Sequence, residues 1–337
     1  MLFKLQTWNP IGGAFMEDFN KLYTELGEDI FKHFYTDNNL DGVKVYHYTN
    51  INALYEILEK KSLRLTNSEF LNDREEILYS IGIIEKIYET LDKKYMNINL
   101  LKRMIEQSLK YKFILSFSIN KDSIALWGNY TNFEGYNIEM NMQEVFETAS
   151  KRRYISIINS NEEAYYLENC LDSKSFGKVI YDVEKQKVIL KELIEALNYS
   201  FNDDIELDSI ARNVIRREAL KTLIHFMNIF KHPGFEQEEE YRLVYTLNKK
   251  SYSKLVMFTN RNGVIVPYIQ IALMDRFNKI GRIPIKSITI GPKSNMQMAS
   301  KGLKRFLEIQ KYKPIEMDEN KHYSNGVKIL KSEIPYR

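Results

Sequence analysis

Val43-Lys44-Val45-Tyr46-His47-Tyr48-Thr49-Asn50 alternates along its length and is rich in Val and Tyr. That composition and two-residue period predict a short strand over 43–48. Thr49 or Asn50 can cap the helix that follows, in which Leu54, Ile57 and Leu58 fall at i, i+3 and i+4. Ser62 to Thr66 then returns as an extended piece. A strand ending in a polar His and running directly into a helix frames a pocket, so His47 is the first candidate site residue.

Working outward, the same alternation of strand and helix groups continues. Residues 15–35 read as a helix, with Phe15, Phe19, Leu22, Tyr23, Leu26 and Ile30 on one stripe. A long helix opens at Asn72 and buries Ile77, Leu78, Ile81, Ile84, Ile87, Tyr88 and Leu91. Phe113 to Ile119 alternates apolar residues with Ser116 and Ser118, a half-buried strand with both hydroxyls on one face. A short helix or turn with Leu126, Trp127 and Tyr130 follows, then a strand over 136–141. Residues 184–231 are mostly helical, broken at Asn202-Asp203-Asp204. Strands are expected at 240–247, 254–258, 264–273, 285–290 and 327–331, with a helix over 295–310. Grouping of this kind predicts an α+β domain with a mixed β-sheet rather than a doubly wound parallel sheet. The expected organisation is a single domain over 1–337: an N-terminal helical extension (1–42), a first half of the core (43–183), a helical insertion (184–232) and a second half (233–337).

Composition bounds the function classes. The 337 residues are 44% hydrophobic and 28% charged, with formal net charge +3, enough to bury a substantial core. Cys170 is the only cysteine, which excludes an intrachain disulfide and a cysteine-based zinc cluster. A reducing compartment, the cytoplasm, is therefore expected. No stretch approaches the roughly 18 apolar residues of a membrane span, so no membrane partner is expected. The five His form no His-x-x-x-His pair, and no metal is predicted. Nine Lys or Arg between Lys279 and Lys313 face a single Glu308. That segment is either a solvated helix face or an anion-binding surface.

Several clusters carry chemistry. Phe235-Glu236-Gln237-Glu238-Glu239-Glu240-Tyr241-Arg242-Leu243-Val244-Tyr245 concentrates carboxylates beside one guanidinium. Read as extended from 238, it places Glu238, Glu240 and Arg242 on one face and Tyr241, Leu243 and Tyr245 on the other. The row is either an exposed salt-bridge ladder or a catalytic set in which Glu240 stabilises oxocarbenium charge. His47, with its hydroxyl-bearing neighbours Tyr48 and Thr49, can donate to a ribose or phosphate oxygen, or be satisfied by a nearby carbonyl. Asn72-Asp73-Arg74-Glu75 has the spacing of a capping box. Trp127 and Tyr130, three apart, face the same way as a stacking wall or as core. Ile288-Thr289-Ile290-Gly291-Pro292-Lys293-Ser294-Asn295 is a strand, turn and helix start at which Lys293 could hold an anion.

The ordered set HYTN, LNDREE, SFS with ALWGNY, FKHPGF-x-x-E-x-EYR, ITIGPKS and SEIPYR resembles a widespread bacterial family known only as a domain of unknown function. The resemblance runs from about Tyr46 to Arg337. A His strand, an aromatic middle element and a late Glu on a strand are also similar to the His-Tyr-Glu plan of ADP-ribosyltransferases. That second resemblance implies the split-sheet fold of those enzymes, with NAD as co-substrate and ADP-ribose passed to a macromolecule. It further implies the part of a toxin or phage-defence effector. Carried over, His47 holds a ribose, Tyr130 or Tyr48 stacks on nicotinamide, and Glu240 polarises the nicotinamide ribose. Ser116, Ser118, Trp127 and Thr49 line the nucleotide site, and Arg242 or Lys293 pairs with the pyrophosphate. Two other classes remain open: a nucleotide- or nucleic-acid-binding module using the basic 279–313 segment, and a metal-dependent nuclease built on Asp73, Glu238 and Glu240.

Overall fold

The computed structural model describes residues 42–71, 75–148, 153–158, 161–204, 208–272, 283–293, 295–316 and 326–335. The expected helix over 15–35 and the Asn72-Asp73-Arg74 turn lie outside them, as do 279–282 and Ser294 of the basic and Gly-Pro segments. Strands are β1 (Lys44–Thr49), β2 (Ser62–Asn67), β3 (Lys112–Ser118), β4 (Tyr136–Asn141), β5 (Arg153–Ile158), β6 (Asn161–Tyr166), β7 (Leu171–Lys178), β8 (Glu240–Leu247), β9 (Met257–Arg261), β10 (Val264–Ala272), β11 (Ile285–Ile290), β12 (Pro314–Glu316) and β13 (Val327–Lys331). Helices are α1 (Ile51–Lys60), α2 (Glu75–Glu89), α3 (Ile98–Leu109), α4 (Ile124–Thr131), α5 (Met142–Thr148), α6 (Val183–Ser200), α7 (Ser209–Met227), α8 (Lys249–Leu255) and α9 (Met296–Ile309).

The chain divides into two compact units. The first takes the described residues of Asn39–Ser80, Glu106–Val183 and Asn228–Arg337; the second takes those of Ile81–Ile105 and Glu184–Met227. The second unit is helical, and α6 buries Ile189, Leu190, Leu193, Ile194 and Leu197. Its loop 93–96 is fixed by one side chain: Asn198 accepts from the main chain of Tyr95 and Met96 at 2.9 and 3.0 Å and donates to Lys93 at 2.8 Å. Arg216 stacks on Phe201 at 3.9 Å and donates to the Ser200 carbonyl, closing the turn between α6 and α7.

The first unit is α+β, built on a mixed sheet ordered β12-β13-β11-β4-β1-β3-β2-β10-β9, with β8 also on β3 and β7 on β8. β11 and β12 run parallel to β13, and the remaining pairs are antiparallel. The strand β3 explains the rest. β8 pairs with it along its whole length, from Lys112↔Thr246 to Ser118↔Glu240. β1 and β2 must therefore share its other edge. β1 meets it at Tyr46↔Ser118 and β2 at Thr66↔Ile114 and Asn67↔Phe113. Between those contacts the sheet splits.

Alternation sorts the two faces. Phe113, Leu115, Phe117, Leu243 and Tyr245 join Val45, Leu63, Leu65, Ile138 and Ile288 in the apolar core. Ser116, Ser118, Glu240, Arg242, Thr66, Arg64, Tyr46 and Tyr48 fall by register on the other face. Helix α1 starts where its sequence signal placed it, with the Asn50 side chain accepting from Ala53 at 2.9 Å.

Several expectations require correction. The strand expected at 254–258 begins at Met257, because Asn248 caps a helix that continues to Leu255. Helix α3 and strands β5–β7 have no counterpart in the sequence reading. Glu238 is not extended: it ends a 3-10 turn over Pro233–Glu238, and Glu239 turns through φ 44° before β8 begins.

Candidate functional site

At the split lies a cleft of about 440 Å³ whose lining includes His47, Tyr48, Ser116, Ser118, Tyr130, Glu240 and Arg242. Segments far apart in sequence reach it because β3 carries both seryl residues between β1 on one edge and β8 on the other. Its volume is in the range of small-molecule sites.

The cleft is closed below by a buried ion network. Arg242 grips Glu240 with two parallel contacts, Nε to Oε1 at 2.8 Å and Nη2 to Oε2 at 2.9 Å. Its Nη2 is 2.8 Å from Glu76 Oε2, and Nη1 donates to the Asn228 carbonyl at 2.8 Å. Lys231 Nζ meets three carboxylates: Glu238 at 2.7 Å, Glu76 at 3.1 Å and Glu240 at 3.2 Å. The Glu240 main-chain N–H donates to the Tyr181 hydroxyl at 3.1 Å. No side chain of these five exceeds 7% exposure, so the exposed-ladder reading fails and surface ion-pair energies do not apply. In a buried set, desolvation competes with attraction, and removing one partner strands the others. For Glu240, burial pushes the carboxyl up, but the charge and hydrogen bonds of Arg242, with Lys231, outweigh it and hold it at about 2. For Lys231, burial is likewise outweighed by Glu240 and Glu76, and the ammonium is held well above its ordinary range.

His47 belongs by register to the core face, yet it lines the cleft because the sheet is open at that point. Its Nδ1 is 3.2 Å from the Ser116 carbonyl, a main-chain acceptor in the stretch of β3 that neither β1 nor β2 pairs. Burial lowers its pKa, with that hydrogen bond opposing, so the ring is neutral near pH 7. A carbonyl only accepts, which puts the proton on Nδ1 and leaves Nε2 as an acceptor. The contact matches the reading in which His47 is satisfied by a nearby carbonyl, and in this tautomer Nε2 can receive a hydroxyl proton.

Tyr130 reaches the cleft from α4 and donates to Glu238 Oε2 at 3.0 Å. Burial first, then the Glu238 charge, raises its pKa. Trp127 does not join it. A three-residue helical step leaves the two side chains about 60° apart, and Trp127 turns inward, fully buried against Tyr48 at 4.8 Å between ring centroids. Its Nε1 donates to Asp122 at 2.6 Å, and Asp122 also holds the Ser332 hydroxyl at 2.7 Å and the Glu333 N–H at 2.8 Å. The SEIP segment is thereby fastened behind the aromatic wall, with Ile334 packed on it. Gly291 of the Gly-Pro turn has a packing reason too: a Cβ there would lie 2.8 Å from the Trp127 ring.

Other expected residues are placed elsewhere. Thr49 is buried on the core face and is not part of the cleft lining. Lys293 also lies outside the lining; it donates to the Glu134 carbonyl at 2.6 Å and covers the Tyr136 ring at 4.3 Å. Arg242 lines the cleft with its guanidinium engaged by Glu240, Glu76 and Asn228. Ser118 lines it and accepts from the Asn120 N–H at 2.9 Å. Sequence reading missed Glu76, Lys231, Arg64 and Arg261. Lys231 carried the one available signal, an isolated Lys beside a run of carboxylates seven to nine residues on.

Among the described residues, no group of three or more His, Cys, Asp or Glu is arranged to hold a metal. Glu76, Glu238 and Glu240 do converge, but on the Lys231 ammonium, which occupies the point a divalent cation would need. Asp73 of the nuclease reading lies outside the described residues. No described helix is long and apolar enough to cross a membrane.

No curated protein and no solved structure matches the chain. One family model, a protein of unknown function (DUF2971), matches residues 126–243, a stretch that holds Tyr130, Lys231, Glu238, Glu240 and Arg242 and leaves His47, Glu76 and Ser116 outside.

Proposed function

We propose that the cleft is a nucleotide site of the NAD class, at which the bond between nicotinamide and its ribose is broken and ADP-ribose passes to a macromolecule. The observation that carries this reading is the convergence of His47, Ser116, Tyr130 and Glu240 on one cleft at the split of the sheet. Three carboxylates against two cations leave the network formally one charge negative, a preorganised field that favours a developing ribosyl cation. In the reaction the C–N bond electrons leave with neutral nicotinamide, an acceptor hydroxyl adds to the cation, and His47 Nε2 takes the hydroxyl proton. Tyr130 supplies the aromatic wall. Glu240 acts through its fixed charge, because Arg242 holds both of its oxygens.

The test is release of nicotinamide from labelled NAD, with label followed onto DNA, RNA and protein. Glu240→Gln is expected to keep NAD binding and to lower release by about a hundredfold or more. Unchanged turnover in that variant overturns the assignment, and release without transfer redefines the protein as an NAD hydrolase.

A second reading has its own observation. Lys301, Lys304 and Arg305 of α9 line a separate cleft of about 900 Å³ with Lys121 and Lys331, and Asp122, Glu139, Glu308 and Glu333 line it too. This supports an anion-binding module drawing on the basic 279–313 segment. Affinity for single-stranded nucleic acid that falls steeply with salt favours it; a flat salt response removes it.

A further inference from the structure

Of the phosphate partners expected for the proposed nucleotide site, Arg242 is engaged by Glu240, Glu76 and Asn228, and Lys293 lies outside the lining. Two guanidiniums missed by the sequence reading line the same cleft: Arg64 of β2 and Arg261 of β9. Register sets both on the face that carries Ser116, Glu240 and Arg242. Arg64 is level with Thr66, which pairs Ile114, while Arg261 pairs Val264 on β10 in phase with Tyr268.

Their surroundings differ from those of the buried network. Arg64 pairs with Glu56 at the rim, and the two side chains are 36% and 43% exposed. Glu56 also meets Lys60 at 3.4 Å, so one carboxylate serves two cations. Such an exposed pair is weak and exchanges readily for another anion. The Arg64 guanidinium lies 4.7 Å from the Tyr268 ring centroid, a stacking that fixes its plane and leaves its edge for hydrogen bonding. It thereby leans two residues closer to Arg261 than its own register partner Gln270. Arg261 donates to the Phe70 carbonyl, and burial lowers its pKa, which a bound anion would reverse. Their register partners on β10, Gln270 and Val264, are six residues apart, about 20 Å of strand, which the lean of Arg64 and the length of both side chains shorten, so the pair suits an extended diphosphate rather than one inorganic phosphate.

We infer that Arg64 and Arg261 form the diphosphate subsite of the cleft. The inference rests on the nucleotide reading of the cleft but not on any reaction there. The deciding experiment is calorimetric titration of the full chain with ADP and, separately, with adenosine. Arg64→Gln and Arg261→Gln are each expected to weaken ADP by about tenfold while leaving adenosine unchanged. Arg64→Lys keeps the charge without the fork and should recover only part of the loss. Glu56→Gln, which releases Arg64, should tighten ADP and leave adenosine alone, an effect that a purely structural role for Arg64 would not produce. ADP affinity unaltered in both Gln variants overturns the inference, even if NAD is consumed normally. Equal losses for ADP and adenosine overturn it as well, and so does a wild-type chain that binds neither. If ADP binds with the expected arginine dependence while NAD is never consumed, the reaction proposed above fails and the subsite stands.

Discussion

Two ion-pair systems line one cleft, and they are built on opposite terms. Arg242, Lys231 and their three carboxylates lie under the floor, each side chain at most 7% exposed and each cation held by two or more partners. Arg64 and Glu56 lie at the rim, a third or more exposed, with a single carboxylate shared between two cations. The chemistry is the same, guanidinium and ammonium with carboxylate. Burial changes its role: below, an ion is locked because releasing it strands its partners in a medium that cannot solvate them; above, water stands ready to replace either member.

The comparison breaks most readily at Arg242. Arg242→Met leaves Glu240 and Glu76 buried opposite Lys231 alone, and should cost about 3–5 kcal/mol of unfolding free energy. Urea denaturation measures it, and a loss below about 1 kcal/mol would mean the floor behaves like the rim. Acid comes next. Because the folded-state pKa of Glu240 is depressed to about 2, its stabilisation is present above the ordinary carboxylate range and is lost as pH falls from about 5 towards 2. Protonating it should remove on the order of 3 kcal/mol. Glu240→Gln should flatten that part of the pH profile, and an equally acid-sensitive variant would assign the effect to other groups. The rim gives the smallest change: Glu56→Gln should alter stability by about 0–1 kcal/mol, with a further decrease in the effect at high salt. A larger loss in thermal or urea melts would show that the Arg64–Glu56 pair is structural after all.

Legibility from sequence followed the range of the interaction. Strand β1, the Asn50 cap and the alternation of Ser116 and Ser118 were readable, because a two-residue period and a cap are written in consecutive residues. The sides taken by Arg242 and Leu243 were readable for the same reason. Glu238 was misplaced, because the left-handed turn at Glu239 breaks the period without a glycine to announce it. Trp127 and Tyr130 were paired by spacing, although the bond from Trp127 to Asp122 decides which of them turns inward. Glu76, Arg64 and Arg261 give no such signal, and Lys231 only its place ahead of a carboxylate run, since each joins the site through pairings that only the folded sheet creates. The Lys231–Glu76 contact joins residues 155 positions apart in the chain, and no periodicity connects them.

The grip of Asp122 on Ser332 and Glu333 also sets an order of events during synthesis. Chains emerge from the ribosome amino terminus first, and their domains fold as their residues become available. Helix α4, with Tyr130, is made early, yet the segment that fastens the base of its Trp127 arrives some two hundred residues later. The aromatic wall is therefore finished only after residues 332 and 333 are made, and a nascent chain carries every residue of the floor before its wall is secured.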